Sequence, residues 1–539
     1  LGRNGKRCRL RLLCSPRSLM SIGRSKDYKS LQGFSRTDDK ANDEGLSIHP
    51  SNKTARTPPT DSYNFISNAL DAEKSTGAFH VAPGAPTDIS SPASVIEPDN
   101  ESKQVKKDNE LLGRDRWLVR NGHLVTFIGL YLFSIMVLFR PYEIVPGLGF
   151  LAFTAFYFAM ATMLIYAPSQ LAIENNLTML STEVKAILAL TAIALITMPI
   201  ARSPALAWES FNDTYIKAVI IFVVLINVVR TRKRLMAMLW LSFGIGGYLS
   251  VRALQLYQEG TFSVESYRVG ISEIEGMFGN PNEMALHLVT MAPITLALAL
   301  ASKNKLMRVV YIVTTILFIA ANTVTYSRGG FLGLLATVMV LAWKLGRKYR
   351  LNVTIATVLG GGLLMVAAPG NYGLRMLSIF IPGLDPVGSS DARREMLERS
   401  LIITARNPWG IGIGNFPIVG IHNHVSHNAF TQVSSELGLL GLAAYLVFMI
   451  SPFRKLRAIE RKCSDANEHN WFYYVSIGLQ ASIVGYWVSS FFASVAYNWF
   501  IYYLIAYAVA FRRIYNLETE AKESETITAS WNVQHAEAK

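Results

Sequence analysis

The sequence contains few charged residues. Only 17% of its 539 residues are charged, whereas 51% are hydrophobic and the mean hydropathy is +0.26. Soluble globular domains carry about 25% charged residues, so the composition disfavours an ordinary soluble enzyme. Cysteine is also scarce. Cys8, Cys14 and Cys463 form no Cys-x-x-Cys pair and have no metal-ligand spacing, which argues against disulfides and thiolate zinc sites.

Acidic residues are outnumbered by basic ones, which leaves a formal net charge of +14. Such an excess can indicate nucleic-acid binding, but here the Lys and Arg residues stand in short clusters between apolar runs. That arrangement is typical of the signals that fix the orientation of a membrane protein. Nucleic acid is therefore not an expected partner.

The two ends of the chain contain no apolar run. Residues 1–115 are rich in Ser, Asp, Asn, Pro and Lys and show no sustained apolar period, which predicts a disordered cytoplasmic tail. Residues 516–539 are also polar and are predicted to form a second cytoplasmic tail. Residues 116–515 between them are predicted to form one membrane domain.

The membrane domain contains about twelve apolar runs near the length that crosses a bilayer, roughly 17–25 residues. Barrel-type alternation of polar and apolar residues is missing, so the runs are predicted to be helices of an all-α polytopic membrane bundle. The runs lie near 123–139, 147–167, 184–200, 214–229, 235–256, 283–301, 306–326, 330–345, 353–369, 429–450, 471–491 and 495–511.

The short basic loops predict the orientation of these helices. The clusters "RTRKR" (230–234), "GRKYR" (346–350) and "RKLRAIERK" (454–462) fall on one side when the spans alternate. The positive-inside rule makes that side cytoplasmic, so both termini are predicted to be cytoplasmic. The long segment 370–428 then lies outside the cell membrane as an extracytoplasmic loop.

Arginines on the predicted outer side run against this charge rule and indicate an anionic ligand. Arg268 precedes "FGNPN", where Asn280 and Pro281 predict the start of a helix, with Glu283 closing a capping box. The outward N-terminus of such a helix favours an anion, which makes Arg268 a candidate ligand.

Two further outward arginines are candidates for phosphate binding. Arg328 lies in the turn "TYSRGG", where Gly329 and Gly330 allow two helices to approach closely, at the level of a lipid phosphate. Arg393 opens an amphipathic helix that is predicted to end at Asn407, before the irregular loop 408–416. Arg399 and Arg406 are interpreted as solvated or interfacial anchors.

A histidine-rich stretch, "IHNHVSHNAF", precedes the next membrane helix. Asn428 or Ser426 is predicted to cap that helix, so His427 lies at its positive end, where a lowered pKa keeps the imidazole neutral and able to accept a proton. Glu436 follows inside the membrane and is expected to be functional or tightly paired. His422, His424 and His427 could alternatively converge on zinc, although no nearby acid or cysteine completes such a site.

Four motifs together resemble the O-antigen ligase and polymerase family of bacterial membrane glycosyltransferases. They are Arg268 with "FGNPN", "SRGG", Arg393 with "NPWGIGIGNF", and "SHNAF" followed by "ELGLLG", in this order. The resemblance implies a GT-C-like helical fold. It also implies that Arg268, Arg328 and Arg393 bind a pyrophosphate and that His427 is the essential histidine. Arg394 is the alternative to Arg393 at its position, and the helix cap Asn428 and the intramembrane acid Glu436 are candidate supporting residues.

The resemblance further implies a reaction at the outer face of the bacterial cytoplasmic membrane. The expected donor is a glycan linked to polyprenyl pyrophosphate, and the acceptor is a hydroxyl of a glycan, a lipid core or a protein. The arginines neutralise the pyrophosphate while His427 takes the acceptor's proton in a single, inverting displacement. No metal and no other cofactor is expected.

Two other classes of function fit parts of the sequence. Twelve spans are common in secondary transporters, but the chain shows no repeated halves and its titratable groups gather on one side. A non-catalytic scaffold of an export complex is the other alternative, and it does not account for the outward cluster of Arg and His. The glycosyltransferase is therefore the leading hypothesis.

Overall fold

The computed structural model describes most of the chain from residue 121 onward. The ranges are 121–145, 147–262, 267–271, 278–346, 350–368, 370–381, 389–420 and 424–537. The predicted tail 1–115, Cys8 and Cys14 lie outside the described residues.

Helices account for all the regular secondary structure in these ranges, and no β-strand occurs there. The helical segments are α1 (Asn121–Ile144), α2 (Gly149–Glu174), α3 (Thr182–Ile200), α4 (Pro204–Val228), α5 (Arg232–Gln258), α6 (Pro281–Ala301), α7 (Lys305–Val324), α8 (Arg328–Leu345), α9 (Arg350–Ala367), α10 (Tyr372–Leu377), α11 (Ser389–Arg406), α12 (Phe416–Val419), α13 (Ala429–Asp465), α14 (Trp471–Ser490) and α15 (Trp499–Glu537).

The predicted all-α membrane bundle is confirmed. Each of the twelve predicted runs coincides with a helix, and within the described residues nine helices are long and apolar enough to cross a membrane. The other three runs coincide with α9, α14 and α15, whose crossing stays a prediction. Two predicted boundaries differ: α13 continues through the basic cluster 454–462, and α15 continues through much of the predicted tail to Glu537.

Helix α14 lies at the centre of the bundle and packs against α6, α8, α13 and α15. Serine hydroxyls bind it to its neighbours: Ser482 Oγ donates to Thr290 O (2.6 Å) and Ser489 Oγ to Gly329 O (3.1 Å). Small hydroxyl side chains of this kind let membrane helices approach closely, because they satisfy a backbone carbonyl without adding bulk.

Side-chain caps explain why several helices begin where they do. The side-chain oxygen of Asn280 (Oδ1) accepts from the backbone amide of Asn282 (3.0 Å) and caps the start of α6, as the sequence predicts. The predicted capping box is not formed. Glu283 Oε2 instead accepts from Asn498 Nδ2 (3.0 Å), the residue just before α15. Side-chain caps also start α8 at Ser327 and α13 at Asn428.

The end of the bundle formed by the start of α3 and the last turns of α13 carries buried ion pairs. Glu183, at the start of α3, is fully buried and binds Lys455 and Arg512, each at 3.0 Å. Lys455 lies on α13, 28 residues after His427. The part of α13 after Gly438 rises about 25 Å up to Lys455, at 1.5 Å per helical residue, so Lys455 lies towards the end of α13 away from His427.

Candidate active site

One cavity of about 250 Å³ brings together most of the predicted site residues. Its polar lining comes from helix starts and the segment before α13, whereas its apolar lining comes from four hydrophobic side chains. The lining residues are Arg328, Ile379, Arg393, Arg394, Leu397, Ser426, His427, Asn428, Phe491 and Phe492. The cavity therefore combines a cationic wall with an apolar wall, which suits an anion attached to a lipid.

Arg328 is the first residue of α8 and is only 5% exposed. Its guanidinium donates to Ser378 Oγ (2.6 Å) and to the carbonyl of Arg375 (3.4 Å), both beside the short helix α10. Ser327 Oγ caps α8 by accepting from the Gly330 amide (3.1 Å), which fixes the turn that carries the arginine. Arg328 is thus held in one orientation at the cavity.

The glycine beside this turn permits close packing, as the sequence predicts. A Cβ on Gly330 would lie 2.7 Å from the Ala285 Cβ on α6 and 2.6 Å from Asn322 Oδ1. Any side chain here would push α6 and α8 apart and move Arg328 with them.

Arg268 lies behind the turn and is not among the described residues that line the cavity. Its side chain, 4% exposed, donates to Thr325 O (3.1 Å) and to Asn282 Oδ1 (2.8 Å). Asn282 Oδ1 also accepts from Ser327 Oγ (2.9 Å), so Arg268 braces the residue that caps α8. These hydrogen bonds place Arg268 beside the start of α8, and direct pyrophosphate binding by Arg268 stays a prediction.

Arg393 and Arg394 lie side by side in the first turns of α11, and both line the cavity. Arg393 is half-buried, whereas Arg394 is exposed and its Nε donates to Glu398 Oε1 (3.1 Å). Of the two, Arg393 is the better placed for a ligand.

Hydroxyl groups bind α11 to the segment that carries His427. Ser400 Oγ lies 3.2 Å from Ser426 Oγ, and Thr404 Oγ1 lies 2.9 Å from Ser434 Oγ. These buried contacts fix Arg393 relative to His427. The face of α11 that packs inward carries Met396 and Ile403, whereas Leu401 and Ile402 are exposed, as expected for a helix at the membrane surface.

His427 precedes α13 and is half-buried in the cavity wall. Its backbone has a left-handed conformation (φ 54°), and its amide donates to Ser494 Oγ at 2.7 Å. Burial, followed by the positive charges of Arg393 and His424, lowers the pKa of His427 to about 4. The predicted neutral imidazole is thus supported, although burial rather than the helix end is the largest cause.

Asn428 caps α13, as predicted. Its Oδ1 accepts from the amides of Phe430 (2.9 Å) and Thr431 (3.2 Å). The cap fixes where the helix begins and therefore where His427 stands beside it. His422 lies outside the described residues, so the three-histidine zinc alternative stays a prediction.

Glu436 is buried below the cavity, and it is not among the described cavity-lining residues. Its Oε1 accepts from the Phe416 amide (3.1 Å), so the acid binds the loop 408–416. The backbone of that loop also pairs with α13: Gly412 N donates to Glu436 O (2.9 Å) and Leu439 N to Pro408 O (2.9 Å). The motifs "NPWGIGIGNF" and "ELGLLG" therefore form one unit.

A glycine in α13 makes this docking possible. Gly438 has φ 72°, which interrupts the helix and exposes backbone groups for the loop. A Cβ on Gly438 would lie 2.3 Å from Pro408 O, so only glycine allows the loop to lie against the helix. Glu436 Oε1 accepts one hydrogen bond, whereas its buried Oε2 has no hydrogen-bond partner among the described residues, so both the tight pairing and a chemical role of Glu436 stay predictions.

The fold and cavity define a polytopic α-helical membrane protein that gathers arginines and a neutral histidine at one end of its bundle. Residues 313–446 match the model of the O-antigen ligase family, Wzy_C, which confirms the resemblance over that segment. The segment contains Arg328, Arg393, Arg394, His427, Asn428 and Glu436. No curated protein matches the chain. The family match indicates a glycosyltransferase-like enzyme of a bacterial membrane, with a role in glycan transfer during surface polysaccharide assembly.

Proposed function

We propose that this protein transfers a glycan from polyprenyl pyrophosphate to an acceptor hydroxyl at the outer face of the bacterial cytoplasmic membrane. The observation that carries the proposal is the shared cavity of Arg328, Arg393 and His427, inside the segment that matches the ligase family. The acceptor hydroxyl belongs to a lipid core, a second glycan or a protein.

The cationic wall suits the leaving group of this reaction. As the bond between the anomeric carbon and the pyrophosphate oxygen breaks, the electron pair and the developing negative charge pass to the polyprenyl pyrophosphate. Guanidinium groups that are already oriented stabilise that charge without reorganising. Arg328 is oriented by Ser378 and the carbonyl of Arg375, and Arg393 stands opposite on α11.

His427 suits the role of general base. Because burial and nearby cations keep its pKa near 4, the imidazole is neutral at physiological pH and accepts the proton of the acceptor hydroxyl as its oxygen attacks. One displacement at the anomeric carbon predicts inversion. The positive charge comes from arginines, so the proposed step requires no metal.

The distribution of charge supports the proposed orientation. The basic clusters at 230–234 and 454–462 lie on the predicted cytoplasmic side, and the second of these is at the end of α13 away from His427. Both termini are then cytoplasmic, and the cavity opens at the outer face, where the lipid-linked donor reaches it from the bilayer.

The proposal is tested by transfer of a lipid-linked glycan in proteoliposomes. Loss of a general base costs about 10²- to 10⁴-fold, so His427→Ala should lower the transfer rate by at least 10²-fold. Arg406→Ala is the matched control, because Arg406 is exposed on α11 and is not among the described cavity-lining residues. Undiminished transfer by His427→Ala would overturn the proposal. Solute uptake that is lost in the same variant would instead favour a transporter.

A further inference from the structure

The connector between α14 and α15, residues 491–498, forms part of the cavity although it lies beyond the segment matched by the ligase family. Phe491 and Phe492 contribute to the apolar wall. Four side chains hold the rest of the connector. Gln432 Oε1 accepts from the Ala496 amide (3.4 Å) and Glu283 Oε2 from Asn498 Nδ2, while the hydroxyls of Tyr486 and Tyr502 donate to the carbonyls of Val495 and Ala496. It is thus bound to both α13 and α6.

The connector also contacts the proposed base directly. Ser494 Oγ accepts the amide hydrogen of His427 at 2.7 Å. His427 needs this support, because its φ of 54° is a left-handed conformation that costs a non-glycine residue about 1–2 kcal/mol. The contact fixes the backbone from which the imidazole extends.

Histidine bases are commonly oriented by a carboxylate that accepts from one ring nitrogen. Within the described residues, His427 makes no such ring hydrogen bond. Its orientation therefore depends on burial and on the backbone contact with Ser494. The charged and titratable groups around it are Arg328 on α8, Arg393 and Arg394 on α11, Glu398, which pairs with Arg394, and His424 on its own segment.

We infer that Ser494 is a positioning residue that holds His427 in its buried orientation beside the arginines. This inference rests on the proposed function, because it assigns Ser494 to the base of that reaction. Without the hydroxyl acceptor, the backbone at 427 relaxes and the imidazole turns towards water. It then loses part of its burial and moves away from Arg393, and both changes favour its protonated form.

The first experiment measures His427 without requiring any activity. The full-length protein in nanodiscs is treated with diethyl pyrocarbonate between pH 5 and 7.5, and carbethoxylation of each histidine is followed by mass spectrometry. Only neutral imidazole reacts, so the wild-type rate at His427 should be nearly flat across this range. In Ser494→Ala the rate should fall by about threefold or more between pH 7 and pH 5.5, as for an ordinary histidine.

Two variants and one internal control keep the result interpretable. Ser494→Thr keeps a hydroxyl and should restore the wild-type profile, whereas Ser494→Cys, a weaker acceptor of similar size, should resemble Ser494→Ala. His287 is buried within α6 and should stay unlabelled in every folded variant. If Ser494→Ala exposes His287, that variant is misfolded. The labelling profiles of His427 in Ser494→Cys and Ser494→Thr then show whether the hydroxyl of residue 494 positions His427.

The second experiment measures glycan transfer in the same preparations. Ser494→Ala should lower kcat by about tenfold with little change in KM for the donor, and its loss of activity on acidification should begin at higher pH than in the wild type. A flat labelling profile in Ser494→Ala would overturn the inference. If Ser494→Ala changes the labelling profile of His427 but the wild-type protein transfers no glycan, the proposed function is overturned. The contact between Ser494 and His427 then remains a structural one.

Discussion

The two ends of the helix bundle hold their cationic side chains by different contacts. At the end away from the cavity, carboxylates bind them: Glu183 binds Lys455 and Arg512 (3.0 Å each), and Glu460 binds Lys344. Each of these pairs joins helices that are distant in sequence. The charges at this end therefore neutralise one another and stabilise the bundle.

At the cavity end, the described contacts of two arginines are with carbonyl, hydroxyl and amide oxygens. Arg328 donates to Ser378 Oγ and Arg268 to Thr325 O and Asn282 Oδ1. Such oxygens orient a guanidinium group. We therefore expect substitutions at the end away from the cavity to change stability, and substitutions at the cavity end to change activity.

The largest expected effect is on stability, at the end away from the cavity. Glu183→Ala leaves Lys455 and Arg512 without the carboxylate that they share, and breaking a buried pair of this kind costs about 3–5 kcal/mol. Chemical unfolding in detergent should show this loss. The exposed pair Arg232–Glu518 gives the control, because Glu518→Gln should cost less than about 1 kcal/mol.

Activity per folded molecule should be unchanged in Glu183→Ala. If Glu183→Ala kept the wild-type free energy of unfolding but lost glycan transfer, the two ends would not differ in function as proposed.

The second prediction exchanges arginine for lysine at both ends. Arg328→Lys keeps the charge, but an ammonium cannot hold Ser378 Oγ and Arg375 O in the planar geometry of a guanidinium. Transfer should fall by about 10²-fold in kcat/KM, as for loss of one oriented donor to a developing anion. Arg512→Lys, which keeps its ion pair with Glu183, should remain within about twofold of wild type. Equal losses in both variants would contradict the comparison.

The sequence predicts much of this site because helix starts carry local signals. Asparagine caps indicate where α6 and α13 begin, and the turn "SRGG" lies just before the run that forms α8, so local sequence patterns are enough to place Arg328 and His427 near helix starts. Arg328, Arg393 and His427 line one cavity, as expected if they share a site.

The rest depends on tertiary packing that no local pattern encodes. Arg268 is not among the described cavity-lining residues, and it donates to Thr325 O and Asn282 Oδ1, which lie 57 and 14 residues away in sequence. The connector 491–498 has no titratable cluster or motif, so nothing in its sequence indicates that Ser494 meets His427. Its position follows from the packing of α14 and α15.

The smallest expected effect separates two adjacent residues at the cavity end. The positive charge of Arg393 opposes protonation of His427, whose pKa is about 4. Wild-type kcat/KM should therefore be constant from neutral pH to about pH 5 and fall as pH drops through 4. In Arg393→Ala the pKa of His427 should rise, so the fall should begin at higher pH, together with an overall loss of about tenfold from weaker pyrophosphate binding.

Arg394→Ala is the matched control for this shift. Arg394 is exposed and paired with Glu398, so its charge is screened by water and by the carboxylate. Its removal should leave the pH at which kcat/KM falls unchanged and should lower transfer by less than about threefold. If Arg394→Ala shifted the profile and Arg393→Ala did not, Arg394 would be the ligand of the donor. The cationic wall would then be the solvent-facing side of α11, because the two residues differ by about 100° around the helix axis.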